Sequence, residues 1–142
     1  MKKKIYFIHS RKIDYNDLIY LPVLRSEVLH THELMLPESE NLKNVYYKDL
    51  INDADLIVVE LSNPDLGFNM ELKQAILSKK PILALANKKI GFDMKYQKLL
   101  KNVYGYETEK EFREYVEKFV LKHEKDPRAD VGTIVLGNIK EN

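Results

Sequence analysis

The chain has 142 residues and no cysteine, with 23 Lys and Arg against 22 Asp and Glu, a formal net charge of +1. That length suits one domain that folds without staples, and the missing thiols exclude a disulfide framework, thiolate zinc sites and cysteine nucleophiles. Balanced charge gives no global pull toward nucleic acid or an anionic membrane, so neither is expected as a partner.

The amino end, "MKKKIYFIHSRK", has a basic start but an apolar core of only four residues, "IYFI" (5–8). That is too short for a signal peptide, and no later run approaches a bilayer-spanning length, so a cytoplasmic protein is expected. "IYFI" itself reads as a first strand. A helical pattern follows over 18–29, then a plausible second strand in "HELMLP" and a second helix over 44–53, whose "NVYYKDL" offers either core or contact surface. "LIVVEL" (56–61) makes a third strand, 68–78 a third helix, and "PILALA" (81–86) a fourth strand. "NVYGYE" reads as a fifth. "TEKEFREYVEKFVLKH" is the last helix, with Phe112, Tyr115, Val116, Phe119 and Val120 as its stripe.

Three of the strand runs are apolar throughout instead of alternating, as in strands covered by helices on both faces of a parallel sheet. The alternation of strands and helices predicts a doubly wound α/β fold with five parallel strands in the order 2-1-3-4-5, occupying residues 1–125. Residues 126–142 form a tail, with Pro127 breaking the helix and 133–136 β-prone, either an extra edge strand or an arm onto a second subunit.

In such a sheet, ligands bind beyond the carboxyl ends of the strands where the order reverses, between the first and third strands. His9, Ser10 and Arg11 follow the first, and residues 62–71 follow the third. No Gly-x-Gly-x-x-Gly or Walker-type motif accompanies them, so a nucleotide cofactor is not expected. Metal is not expected either: His30 and His32 lack a third ligand at suitable spacing and suit surface or capping roles, and His123 suits a helix end. Within "NPDLGFNMELKQA" (63–75), Glu71 falls early in the third helix at the rim of a stripe of Phe68, Leu72, Ala75 and Ile76, facing the crevice. A carboxylate there either stabilises the helix start or serves as a nucleophile.

The segment "DADLIVVELSNPDLGFNMELKQAILSKKPILALANK" (53–88), with "KIYFIHS" at the amino end, resembles the nucleoside 2-deoxyribosyltransferase superfamily, which includes the 2'-deoxynucleoside 5'-phosphate N-hydrolases. The resemblance implies cleavage or transfer at an N-glycosidic bond through a covalent glycosyl-enzyme intermediate on Glu71. It implies that Tyr6 holds that glutamate, that Asp65 contacts the sugar's hydroxyl end, and that Ser10 matches a serine of the first loop. Asp49 is the nearest match to an aspartate of the second helix, which would act near the sugar and base. Gly67 falls on the glycine of the third-strand loop. The chain departs from the family at Asn69, Lys73 and Gln74, and at His9, which replaces a glycine and reshapes the base pocket; Asn69 either caps the helix or reads a hydroxyl.

Asp65 would repel a 5'-phosphate where it accepts from a 5'-hydroxyl, which favours a nucleoside, whereas Arg11 could bind phosphate or remain a solvated charge. Neighbouring subunits complete each other's sites in this family, so a homodimer or larger homo-oligomer is implied. Two other functions fit the pattern: an NAD glycohydrolase like the Toll/interleukin-receptor domains, and a non-catalytic nucleoside-binding module.

Overall fold

Each continuous apolar run becomes a strand whose successive side chains enter opposite cores. The computed structural model describes residues 2–124, and the tail expected over 126–142 lies outside them. The strands β1 (Lys4–Ile8), β2 (Glu33–Met35), β3 (Leu56–Glu60), β4 (Ile82–Asn87) and β5 (Val103–Tyr106) form one parallel sheet in the order β2-β1-β3-β4-β5. This is the doubly wound order expected from the sequence.

Five α-helices cover the sheet among the described residues: α1 (Leu21–Leu24), α2 (Tyr47–Asp53), α3 (Leu66–Ser78), α4 (Lys95–Leu99) and α5 (Glu109–Lys122). On one face, Ile5, Phe7, Val58 and Leu85 pack with Val23 of α1 and Phe112, Val116 and Val120 of α5. On the other, Tyr6, Ile8, Ile57, Val59 and Ala84 pack with Leu50 and Ile51 of α2 and Phe68, Leu72 and Ala75 of α3. Each fully buried aliphatic or aromatic side chain contributes about 1.5–3 kcal/mol, so both faces are needed to hold the sheet. The same alternation turns Tyr6 toward α3. None of the helices among the described residues is long and apolar enough to cross a membrane.

The helices depart from expectation in four places. Residues 18–29 do not form one helix: a wide turn over Asn16–Tyr20 runs into the short α1, and a tight turn follows over Val28–Thr31. Pro22 sits in the first turn of α1, where a missing N–H is harmless. Beyond Arg25 the chain bends at Ser26, whose Oγ accepts from the Leu29 N–H at 3.1 Å and donates to Glu117 of α5 at 2.5 Å. A serine that bonds its own backbone in this way competes with helix continuation. Helix α2 starts three residues later than expected because 39–45 are taken up by turns, with Lys43 N–H donating to the Ser39 carbonyl and Val45 N–H to that of Leu42. Helix α3 starts two residues early, at a cap supplied by Asp65. Helix α4 was not foreseen; a five-residue helix burying Tyr96 carries too little periodic pattern to announce itself.

Two polar devices fix the helix ends. Thr108 and Glu111 form a reciprocal capping box at the start of α5. Lys80, in the turn between α3 and β4, points its Nζ at the last turn of α2 and donates to the carbonyls of Ile51 (2.7 Å), Asn52 and Ala54. Carbonyls at a helix end lack a full set of intrahelical donors, that of Ile51 receiving a 3.3 Å bond from the Ala54 N–H, and one ammonium reaches all three at once. Lys80→Met, which keeps the stem and removes the donors, is expected to lower stability by about 1–3 kcal/mol. A lowered urea midpoint at unchanged slope is the readout.

His32, expected in a surface or capping role, follows the tight turn at its cap position and is buried there, its Nδ1 accepting from the Lys3 N–H at 2.9 Å, because β1 and β2 are adjacent. His30 is exposed and His123 follows the last residue of α5.

Candidate active site

The carboxyl ends of the adjacent strands β1 and β3 meet where the strand order reverses, the place expected for a ligand crevice. Strand β1 runs directly into His9, Ser10 and Arg11, and β3 leads through Ser62 and Asn63 to the start of α3. Tyr6, wholly buried in β1, donates its hydroxyl to Glu71 Oε1 at 2.5 Å across a sequence separation of 65 residues. Glu71 is itself 4% exposed. Because α3 begins at Leu66, Glu71 lies in its second turn, beyond the reach of the helix dipole that a later start would have given it. Its charge is met by specific partners instead.

Arg11 is the second of those partners. Its Nη1 donates to Glu71 Oε2 at 3.1 Å, while Nε and Nη2 both reach Glu38 Oε2 at 2.7 Å. One guanidinium therefore spans two carboxylates. Burial opposes its charge, but Glu38 and Glu71 outweigh that and hold the guanidinium protonated. For Glu71 the balance goes the other way: burial lifts its carboxyl above the ordinary glutamate value, with Glu38 adding to the rise and Tyr6 and Arg11 opposing it. A carboxylate kept basic at the switch point of the sheet is suited to nucleophilic or general-base chemistry.

Asp65 ties the two loops together. Its Oδ1 accepts from the Phe68 N–H at 2.8 Å and so caps α3; its Oδ2 accepts from the Arg11 N–H at 3.0 Å and the Ser10 hydroxyl at 3.3 Å. Burial pulls its carboxyl up, yet these donors with the Arg11 charge leave it below the ordinary aspartate value. The residue is thus a cap and a clip, and Oδ1, which uses one of its two lone pairs, retains room for a further donor. Gly67, one turn before Glu71, leaves the approach to Arg11 open: a side chain there would begin 3.6 Å from Nη1.

His9 is fixed by the same wall. It is 1% exposed, stacks on Tyr15 with ring centroids 4.7 Å apart, and has Nδ1 3.0 Å from the Ser10 carbonyl and Nε2 2.7 Å from the Tyr20 hydroxyl. A carbonyl only accepts, so the proton sits on Nδ1 and Tyr20 donates to Nε2; Tyr20 in turn accepts the Glu38 N–H at 3.0 Å. Burial pushes the imidazole down to about 4 from its usual 6.5, and His9 is neutral through the physiological range. In the unfolded chain it takes up its proton near 6.5, so between those values the unfolded state binds more protons and stability falls as pH falls. The contribution is on the order of 3 kcal/mol over that interval. His9→Gln is expected to lack it: its loss of stability between pH 7 and pH 4, followed by urea unfolding, should be smaller than the parent's.

The remaining sequence candidates lie apart from this cluster. Asn69 Oδ1 accepts from the Tyr96 hydroxyl of α4 at 2.6 Å, so the hydroxyl it reads belongs to the protein, and the cap of α3 is Asp65 instead. Asp49 is exposed on the first turn of α2, and among the described residues no hydrogen bond or ion pair joins it to Glu71, Tyr6 or Arg11.

Three contributors were missed from the sequence: Glu38, Tyr20 and Glu60. Glu60 carried a signal, as a lone charge ending an apolar strand. It is 1% exposed and accepts from the Ser62 N–H (2.6 Å), the Ser62 hydroxyl (2.8 Å) and the Tyr106 hydroxyl (2.5 Å), thereby shaping the first turn of the loop toward α3. Burial raises its carboxyl above the ordinary range, against those three donors.

Fold and crevice together define a doubly wound α/β domain with a tyrosine-held glutamate at its switch point. No protein-family model and no curated protein sequence matches the chain. Among solved structures it is similar to the CMP N-glycosidase BcmB of Clostridium botulinum, with a TM-score of 0.58 and 20% identity. The match covers 82% of this chain and 99% of that one, and establishes a shared fold over nearly the whole of that enzyme.

Proposed function

We propose that this protein belongs to the nucleoside 2-deoxyribosyltransferase superfamily and breaks or exchanges the N-glycosidic bond of a nucleoside or nucleotide through Glu71. The observation that carries the reading is the 2.5 Å bond from Tyr6 to Glu71, since the resemblance names the same two positions as the holder and the nucleophile. The fold shared with a CMP N-glycosidase supports it.

In this reaction a Glu71 oxygen attacks the anomeric carbon as the bond to the base breaks and its electron pair leaves on the base. The sugar is left esterified to Glu71. Water then attacks the same carbon, giving hydrolysis, or a second base does, giving transfer, and the carboxylate is released. The oxocarbenium-like transition state favours an ionised carboxylate beside it. Tyr6 and Arg11, one on each oxygen, hold the carboxylate in a fixed plane and stabilise it again as it leaves. The departing base takes up a proton, and Asp49, the nearest match to the aspartate of the family's second helix, is the candidate for that task although it stands exposed and apart from Glu71. A homo-oligomer is part of the same proposal. Val45 and Tyr46 are 42% and 54% exposed, and the outer side of α3 exposes Leu66, Met70 and Leu77.

The test is incubation of the purified protein with ribonucleosides, deoxyribonucleosides, their 5'-monophosphates and NAD, with and without an added free base, followed by chromatography. Free base alone indicates a hydrolase, and a new nucleoside only with acceptor base indicates a transferase. NAD turnover would shift the assignment to a Toll/interleukin-receptor-like glycohydrolase. Binding without turnover of any of them would leave a nucleoside-binding module.

A further inference from the structure

The geometry points to Glu38 as a built-in anion that occupies the phosphate-binding edge of Arg11 and so selects nucleosides over their 5'-monophosphates. This rests on the reading of Glu71 as the attacking group. A guanidinium recognises phosphate through a pair of adjacent N–H groups on one edge. In this protein the pair formed by Nε and Nη2 is already engaged at 2.7 Å by Glu38 Oε2, while the remaining Nη1 is on Glu71.

Glu38 is not a loosely placed surface acid. Its own N–H is held by the Tyr20 hydroxyl, which is held by the buried His9, so its backbone is anchored to the wall of the crevice. Its side chain is 26% exposed and that of Arg11 40%, leaving the pair accessible to an incoming ligand yet fixed from behind.

Charge points the same way. Glu38 and Glu71 both pair with the Arg11 guanidinium, and Asp65 sits on the same residue's backbone N–H, so a phosphate arriving at Arg11 meets three carboxylates against one guanidinium. A 5'-hydroxyl carries no such penalty and finds acceptors in Asp65 or Glu38. The phosphate of a bound nucleotide would have to displace Glu38 from the very edge it needs, and Glu38 would then remain beside it.

The experiment compares kcat/KM for cytidine and CMP, and for adenosine and AMP, in the parent, Glu38→Gln, Glu38→Ala and the double variant Glu38→Gln with Arg11→Ala. The parent should prefer the nucleoside. Glu38→Gln and Glu38→Ala should each move the ratio toward the monophosphate by about tenfold or more, and the double variant should lose that gain because the phosphate ligand is gone. A parent that prefers the monophosphate, or a ratio unchanged in both single variants, would overturn the assignment.

Calorimetric titration with ribose 5-phosphate reads the same edge without any turnover. Binding that is stronger in Glu38→Gln than in the parent supports the role of Glu38 even if no glycosidic substrate is cleaved, in which case it is the glycosidase reading that fails. Equal affinity in the two proteins would reject the role of Glu38. Circular dichroism of each variant establishes that the folded protein is being compared.

Discussion

Glu71→Gln is expected to reduce base release by on the order of 10³- to 10⁵-fold, the scale seen when a group acting directly on the reacting centre is removed. Glutamine keeps the volume and can still accept the Tyr6 hydroxyl through its amide oxygen, so the crevice should survive. It has no anionic oxygen with which to form the glycosyl ester. Burial already works against the Glu71 charge, while an amide nitrogen facing Arg11 forfeits the bond from Nη1, so the change in stability to urea should stay within about 1–3 kcal/mol. That combination, turnover lost with the fold kept, separates a chemical role from a structural one. Mass spectrometry of enzyme quenched during turnover gives the direct check: a sugar-sized adduct on the α3 peptide of the parent, absent from the variant. Rates within tenfold of the parent would remove Glu71 from the reaction.

The second large effect is expected from Tyr6→Phe. The hydroxyl at 2.5 Å is the sole donor to Glu71 Oε1 among the described residues, the Arg11 bond being to Oε2. Removing one such donor at a reacting oxygen costs about 10²- to 10³-fold in rate. The pH profile supplies a further and more specific mark. Tyr6 is one of the partners that lower the Glu71 proton affinity against the upward push of burial. Without it the carboxyl rises further, a larger fraction is protonated at any given pH, and the acid limb of kcat/KM moves to higher pH. A variant that loses rate with its acid limb unmoved would place Tyr6 in packing alone. The vacated oxygen is buried, so some loss of stability, about 1–3 kcal/mol, should accompany the change; rates are therefore compared at temperatures where both proteins are fully folded.

Much of this architecture is legible in the sequence because burial on two faces forces unbroken apolar runs. The runs at 5–8, 56–61 and 81–86 locate β1, β3 and β4 to within a residue or so, and with three strands adjacent the switch point follows. The pairing of Tyr6 with Glu71 came from a family resemblance, and the strand period explains it physically: Tyr6 shares a face with Ile8, Ile57 and Val59, and that face is the one α3 covers. The resemblance gives Asp65 as a contact to the sugar's hydroxyl end, while Asp-x-x-Phe before a helix is also a cap pattern: Oδ1 caps α3, and Oδ2 clips the first loop through the Arg11 N–H and the Ser10 hydroxyl. The segment over 18–29 misled because its apolar spacing is helical while Pro22 and Ser26 set local limits that spacing ignores.

Other parts were not readable for a different reason. Nothing in "PESE" distinguishes Glu38 from Glu40; one reaches Arg11 and the other pairs with Lys43 three residues on. That difference depends on the path from β2 to α2, which is decided by tertiary contacts such as the Tyr20 hydroxyl on the Glu38 N–H. Helix α4 and its bond from Tyr96 to Asn69 are likewise a consequence of packing, with one buried aromatic standing in for a periodic stripe.

Glu60 gives the molecule an internal reference for its own reactivity. On opposite faces of β3 and its neighbours, two buried glutamates each accept a 2.5 Å bond from a strand tyrosine, Glu71 from Tyr6 and Glu60 from Tyr106. Glu71 has an arginine on its second oxygen and lies at the switch point; Glu60 has the Ser62 backbone N–H on its second oxygen, with the Ser62 hydroxyl sharing the tyrosine's, and lies under the loop. A carboxyl-directed reagent or a mechanism-based sugar analogue thus samples two near-matched groups in a single chain. Modification confined to Glu71 would report what the arginine and the opening add, with burial and the phenol bond common to both and already subtracted.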